Sequence, residues 1–250
     1  MTRIHLVLPA LTWDSSLEAT LASIANIPTS MMGQTIIIAP AAQLPKISRH
    51  LDSWSLNSPK PRLLAETGKG VYPAFNNGLD ALKGATGYVI FLGAGDCLNS
   101  PEPPLCDAMA ADVSLVCLPT GGDPATLRRF PAQPWGLLTC LPNSQGCVFN
   151  LKLGAKLIYQ ERFAIYDDVL QRIAILQSEP HTRLDCAPIV TIDGHGVSGV
   201  QTPGKILRHF SERRALFLPI LRLRQPLLAT KYLIGSLKDI VRYVSFEPTP

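Results

Sequence analysis

The stretch GKGVYPAFNNGLDALKGATGYVIFLGAGD, residues 68 to 96, carries the first candidate chemistry of this chain. An apolar run, Tyr88-Val89-Ile90-Phe91-Leu92, leads straight into Gly93, Ala94, Gly95 and Asp96. In open α/β sheets, ligands bind beyond the carboxyl ends of the strands. Three residues without bulky side chains let a phosphate or a sugar approach the backbone closely. A carboxylate there can hold Mg2+ or Mn2+, hard ions that prefer oxygen ligands and bridge diphosphates. It can equally cap the next turn, a common use of aspartate.

Three further groups have suitable types. Asp167 and Asp168 open a helical pattern, where acids suit the helix N-terminus. Asn143, Ser144 and Gln145 can bond acceptor or diphosphate oxygens, or simply form a turn. His195, between Gly194 and Gly196, can reach a diphosphate or lie in a surface loop. Tyr72 can stack on a ligand or pack in the core. The chain has no G-x-S-x-G, H-E-x-x-H, P-loop or G-x-G-x-x-G stretch.

Positioning these residues requires alternating strands and helices. Ile4-His5-Leu6-Val7-Leu8, stopped by Pro9, and Thr35-Ile36-Ile37-Ile38, stopped by Pro40, read as buried parallel strands. Between them, Ser15-Ser16 can cap a helix with Leu17, Leu21 and Ile24 on one face. That order predicts a βαβ unit. Leu63-Leu64-Ala65 suits a third strand, and a helix with Phe75, Leu79 and Leu82 on one face follows, with Pro73 in its first turn. Tyr88–Leu92 and residues 113 to 118 read as further strands, and residues 161 to 176 as a helix entered through Asp167-Asp168.

The 250 residues suffice for a substantial core, and 46% hydrophobic against 17% charged residues argues for a folded protein. The net charge of +4 is uneven: the segment from Pro203 carries +6 and the remainder −2. Such a tail points to a polyanionic neighbour, an anionic membrane surface or a nucleic acid. Aromatics are not interleaved with its charges, so no nucleic-acid partner is expected. Pro219 and Pro226 are expected to divide it into short amphipathic helices. The six cysteines include no C-x-x-C pair and read as reduced, mostly buried thiols. Neither a signal peptide nor a spanning run is evident, which predicts a cytoplasmic protein, peripheral at the inner face of the membrane.

The order of these motifs resembles the family 2 glycosyltransferases of bacterial polysaccharide and lipopolysaccharide biosynthesis. Those enzymes show a G-I-Y-D-A-M-N-K-G stretch, then A-T-G, an apolar strand and an acidic end. The matching residues here are Gly70, Tyr72, Ala74, Asn76 and Gly78, then Ala85-Thr86-Gly87, Phe91-Leu92 and Asp96. LPNSQGCVF resembles the family's P-x-S-H-Q segment, FAIYDDVLQRI its D-Y-D-L-x-L-R segment, and GHGVS its later glycine turn. The resemblance implies a GT-A fold, α/β with a mixed, mostly parallel sheet, over residues 1 to 202, with a basic helical extension over 203 to 250. It implies inverting transfer from a nucleotide diphosphate sugar to a saccharide or lipid-linked saccharide acceptor. Pro9, Tyr72, Asn76, Gly93, Ala94, Gly95 and Asp96 fall on the donor side, and Asp96 on the metal, Mg2+ or Mn2+. Asp168 falls on the general base, with Asp167 the alternative. Asn143, Ser144, Gln145 and His195 fall near acceptor or diphosphate. The sequence departs from the pattern at Ala39-Pro40, Gly68, Pro73 and Gly95, where acids are usual, and at Gln145, where histidine is usual.

Overall fold

The computed structural model describes residues 2–25, 27–53, 59–99, 103–121, 141–184, 188–192 and 202–244. Four strands, β1 (Ile4–Pro9), β2 (Met32–Ala39), β3 (Arg62–Ala65) and β4 (Tyr88–Phe91), lie parallel in the spatial order β3-β2-β1-β4. Beyond β4 come β8 (Cys147–Asn150), β6 (Leu115–Cys117) and β9 (His181–Arg183). Only β8 runs against the rest, antiparallel to both β4 and β6. A second sheet joins three two-residue strands, β5 (Cys97–Leu98), β10 (Val190–Thr191) and β7 (Thr120–Gly121). The mostly parallel sheet expected from the sequence is present.

Helices cover both faces: α1 (Ser15–Ile24), α2 (Leu44–Ser53), α3 (Val71–Ala81), α4 (Pro103–Ala110), α5 (Asp167–Ser178), α6 (Pro203–Arg222) and α7 (Pro226–Val244). One core lies under α1, where Leu17, Leu21 and Ile24 meet Leu6, Leu8 and Ile37. The other joins α3, α5 and the C-terminal hairpin, where Phe75 and Ile173 share a cluster with Leu216, Ile220 and Leu228. Continuous burial of β1 explains its largely apolar run. α3 packs tightly on β1 because Gly78 has no side chain; a Cβ there would lie 2.3 Å from Val7 Cγ1.

Two local expectations are corrected. The cap of α1 is Asp14, which accepts from the Leu17 amide at 3.0 Å, rather than Ser15 or Ser16. Pro219 does not divide the tail, because α6 runs through it to Arg222. The carbonyl that proline cannot serve belongs to Ala215, which is exposed and can turn to water. Of the four described cysteines, Cys117 and Cys147 are buried and Cys106 is exposed; all four are free thiols.

Candidate active site

Because β1, β2, β3 and β4 are parallel, Pro9, Ala39, Ala65 and Phe91 end at one edge of the sheet. β8 runs the other way, so the turn that precedes it, Asn143 to Gly146, opens at that same edge. The loop from β3 delivers the N-terminus of α3 there. Contacts between Tyr72 and Asp168 bring the N-terminus of α5 beside it.

The loop after β4 is fastened from two sides. Asp96 is buried, and its Oδ2 accepts from the Gly93 amide at 2.8 Å. The Gly95 amide donates to Thr20 Oγ1 at 2.8 Å and to the Ser16 carbonyl at 3.1 Å. Gly95 has φ of 102°, a conformation that an acid at this position would adopt only with strain. Glycine at this position therefore suits the turn that the chain makes here.

Asp168 is buried between two partners. Its Oδ2 pairs with Arg172 one turn along α5, at 2.6 Å. The Tyr72 hydroxyl lies 3.1 Å from Oδ1 and 2.6 Å from the Ile165 carbonyl. A phenol has one proton, and the shorter contact takes the larger share, so Oδ1 keeps lone pairs lightly committed. Burial, and then the charge of Asp168, push the Tyr72 phenol far above its ordinary value, so it acts as a fixed donor. Burial opposes charge on Arg172, but Asp168 and weaker partners outweigh it, and the net direction is upward. The Arg172 guanidinium also donates to the Pro142 carbonyl, which ties Asp168 to the turn at Asn143. Sequence reading did not single out Arg172, although its four-residue spacing from Asp168 on a helix was the available signal.

Other predicted residues are engaged in building the site. Tyr72 is packed, its ring stacked on Tyr159 at 5.1 Å between centroids, so it offers no free face to a ligand. Asn76 holds the Tyr159 backbone from both sides, accepting its N–H and donating to its carbonyl, each at 2.9 Å. Asp167 accepts from the amides of Glu161, Arg162 and Phe163 at 2.8, 3.0 and 3.4 Å. Its carboxylate thus shapes the loop before α5. Asn143 caps its own turn by accepting from the Gln145 amide at 3.3 Å, and Ser144 Oγ donates to Gln145 Oε1 at 2.9 Å. Ala94 sits half-buried against the α1-side core. His195 lies outside the described residues.

A cavity of about 360 Å³ opens beside Tyr72, lined among others by Lys69, Glu161, Arg162, Arg208 and Glu212. Glu212 is buried in its wall, accepting from the amides of Ala164, Ile165 and Tyr166. Three cations and two carboxylates line it, and with Glu212 held by backbone amides the mixture suits a polyhydroxylated or anionic ligand.

The donor set for a metal is small. Among the described residues no group of three His, Cys, Asp or Glu side chains could hold an ion. Mg2+ and Mn2+ can nevertheless bind through one carboxylate plus substrate phosphates and water. Asp96, the acid of the Gly93–Asp96 loop, is the residue that would serve there, with its Oδ2 already accepting from the Gly93 amide.

No family model and no curated protein matches the sequence. Among solved structures, S. aureus TarS 1-349 in complex with UDP-GlcNAc is 12% identical over 96% of this chain and 73% of its own, with a TM-score of 0.61. The mannosyltransferase PcManGT from Pyrobaculum calidifontis, in complex with GDP-Man and Mn2+, is 16% identical over 100% of this chain and 77% of its own, with a TM-score of 0.63. The chain therefore has the fold of these proteins.

Proposed function

We propose that this chain is an inverting glycosyltransferase, moving a sugar from a nucleotide diphosphate to a saccharide acceptor. One observation carries the reading most. The Gly93–Asp96 loop and the Asp168 carboxylate converge on the carboxyl edge of a sheet shared with structures that hold UDP-GlcNAc and GDP-Man.

In this reading the donor diphosphate lies against Gly93, Ala94 and Gly95, whose small side chains allow close approach. Asp96 would hold Mg2+ or Mn2+, which neutralises charge on the departing diphosphate. Asp168 Oδ1 accepts the proton of the acceptor hydroxyl, whose oxygen attacks the sugar carbon opposite the leaving group. The bond to the diphosphate oxygen breaks as the new glycosidic bond forms, so configuration inverts. Arg172 holds Asp168 Oδ2 in place, while Asn76 and Asp167 shape the loop that faces the acceptor. The turn at Asn143, Ser144 and Gln145 and the cavity lined by Lys69, Arg162 and Arg208 form the acceptor side. A lipid-linked saccharide in cell-surface polysaccharide assembly is the acceptor that best suits those cations and the basic extension.

Gly95 in place of the second acid favours one other reading, a relative that binds nucleotide sugars without turning them over. Incubation of the chain with a panel of UDP- and GDP-sugars, Mn2+ and saccharide acceptors separates the two. Release of nucleoside diphosphate with formation of an inverted glycoside supports transfer. Binding of a donor without turnover for any acceptor supports the relative.

A further inference from the structure

The helix α7 exposes an arc of large apolar side chains while burying two polar ones. Its inward positions include Ser236 and Asp239, exposed to 1% and 3%, beside Leu228 and Ala229. Its exposed positions include Leu227, Ile234, Leu237, Ile240, Val241 and Val244, with Thr230 and Leu233 among them; Val241 is 65% exposed. At helical spacing the first six lie on one continuous arc, since 227, 234, 237, 241 and 244 recur every three, four or seven residues. Six large apolar side chains exposed along one arc of a helix call for an apolar environment outside the molecule.

Charge says what that environment is. Lys231 and Lys238 are exposed and border one side of the arc, seven residues apart. α6 and the turn after it expose Arg214, Arg222 and Arg224, while Arg208 lines the cavity beside Tyr72. The two acids of the described hairpin both face inward: Glu212 accepts three backbone amides, and Asp239 pairs with Arg213 at 3.4 Å. The outer surface of the described hairpin thus carries cations, apolar residues and the neutral Ser211 and Thr230, and no carboxylate. A second copy of this chain would bring the same cations against these ones. An anionic bilayer meets both features at once. No described helix is long and apolar enough to cross a membrane, so the fit is to its surface.

We propose that the α6–α7 hairpin is a docking surface for an anionic lipid bilayer. The apolar arc of α7 enters the boundary between headgroups and acyl chains, and Lys231 and Lys238 stand at the level of the lipid phosphates. The surface stands independently of the transferase reading, and it would keep a lipid-anchored acceptor within reach of the sheet edge.

The test is co-sedimentation of the full chain with vesicles of phosphatidylcholine, with and without phosphatidylglycerol, at low and high salt. The chain is expected to pellet with phosphatidylglycerol vesicles at low salt and to be released at high salt. Lys231→Gln with Lys238→Gln should weaken partition about thirty-fold, from roughly five-fold per basic residue. Leu237→Ser with Val241→Ser should weaken it on the order of ten-fold or more. All four side chains are exposed, so both variants should melt with the wild type. Failure to pellet at low salt overturns the proposal. So does equal binding to vesicles with and without phosphatidylglycerol. A dimer in solution that Leu237→Ser with Val241→Ser dissociates, in a chain that ignores vesicles, also overturns it and assigns the face to a second copy.

Discussion

The Tyr72 hydroxyl lies 3.1 Å from Asp168 Oδ1, although 96 residues separate the two along the chain. That contact joins the N-terminus of α3, which leads into β4 and the Gly93–Asp96 loop, to the N-terminus of α5. Arg172, 2.6 Å from Asp168 Oδ2, completes the setting. One carboxylate is therefore fixed in orientation from both sides, with Oδ1 the less committed oxygen.

Asp168→Asn should lower turnover by about 10²–10⁴, the usual cost of losing a general base. Nucleotide affinity, measured by calorimetry, should hold, because the base acts on the acceptor. Thermal unfolding recorded alongside separates catalysis from folding, since Arg172 loses its partner in the variant. A folded variant that keeps more than about a tenth of wild-type turnover removes Asp168 from the role.

Tyr72→Phe retains the ring that stacks on Tyr159 and removes only the hydroxyl. As a positioning residue, Tyr72 should affect kcat more than the donor KM, and by less than Asp168→Asn does. Equal losses for the two variants would place the phenol in direct contact with substrate.

Asp96→Ala should weaken nucleoside diphosphate binding strongly with Mn2+ present and little after chelation by EDTA, because the carboxylate reaches phosphates through the ion. Calorimetry of both proteins in both conditions gives the answer. Four equal affinities would mean a metal-independent site.

Stability should fall as the medium is acidified. His5 is buried, with Nε2 3.1 Å from the Thr86 carbonyl and Nδ1 accepting from the Gln34 amide at 3.0 Å, an arrangement that needs a neutral ring. Burial lowers the pKa of His5 below 6.5, and burial followed by Arg213 lowers that of His209. The unfolded chain therefore binds more protons, and stability is lost as pH falls from about 6.5 toward the folded values. Melting curves between pH 7.5 and 5 should show the decline, with a shallower slope for His5→Gln. A flat profile would contradict it.

Gly78→Ala should destabilise the fold by about 1–3 kcal/mol through overpacking against Val7. Val7→Ala in the same chain should recover part of the loss in denaturant unfolding. Additive losses would show that the two positions do not collide.

Much of the frame was legible in the residues. β1, β2 and β4 are buried almost throughout, so their sequences are largely apolar, interrupted at His5 in β1 and at Gln34 and Thr35 in β2. α2 was passed over although Leu44, Ile47 and Leu51, which pack on one core, stand at helical spacing in a short stretch opened by proline. The two-residue strands of the small sheet carry no local signal, since pairing across Cys97, Val190 and Thr120 creates them. Pro219 misled because the carbonyl it leaves without a partner, that of Ala215, lies on an exposed stretch of α6 where water can serve it. The site followed the same division. Asp96 was legible from its position after an apolar strand. The closure of Tyr72, Asp168 and Arg172 was not, because it is a meeting of two helix ends that only the folded chain brings about.

A crystal structure of the chain soaked with a nucleotide sugar and Mn2+ tests the central claim most directly. The account predicts the nucleotide across the carboxyl edge of β1, β2 and β4, the diphosphate against Gly93 to Gly95, and the ion on Asp96. The sugar carbon should then face Asp168 Oδ1 across a gap that admits one acceptor hydroxyl. A nucleotide bound away from that edge, or with its sugar carbon turned from Asp168, would contradict it.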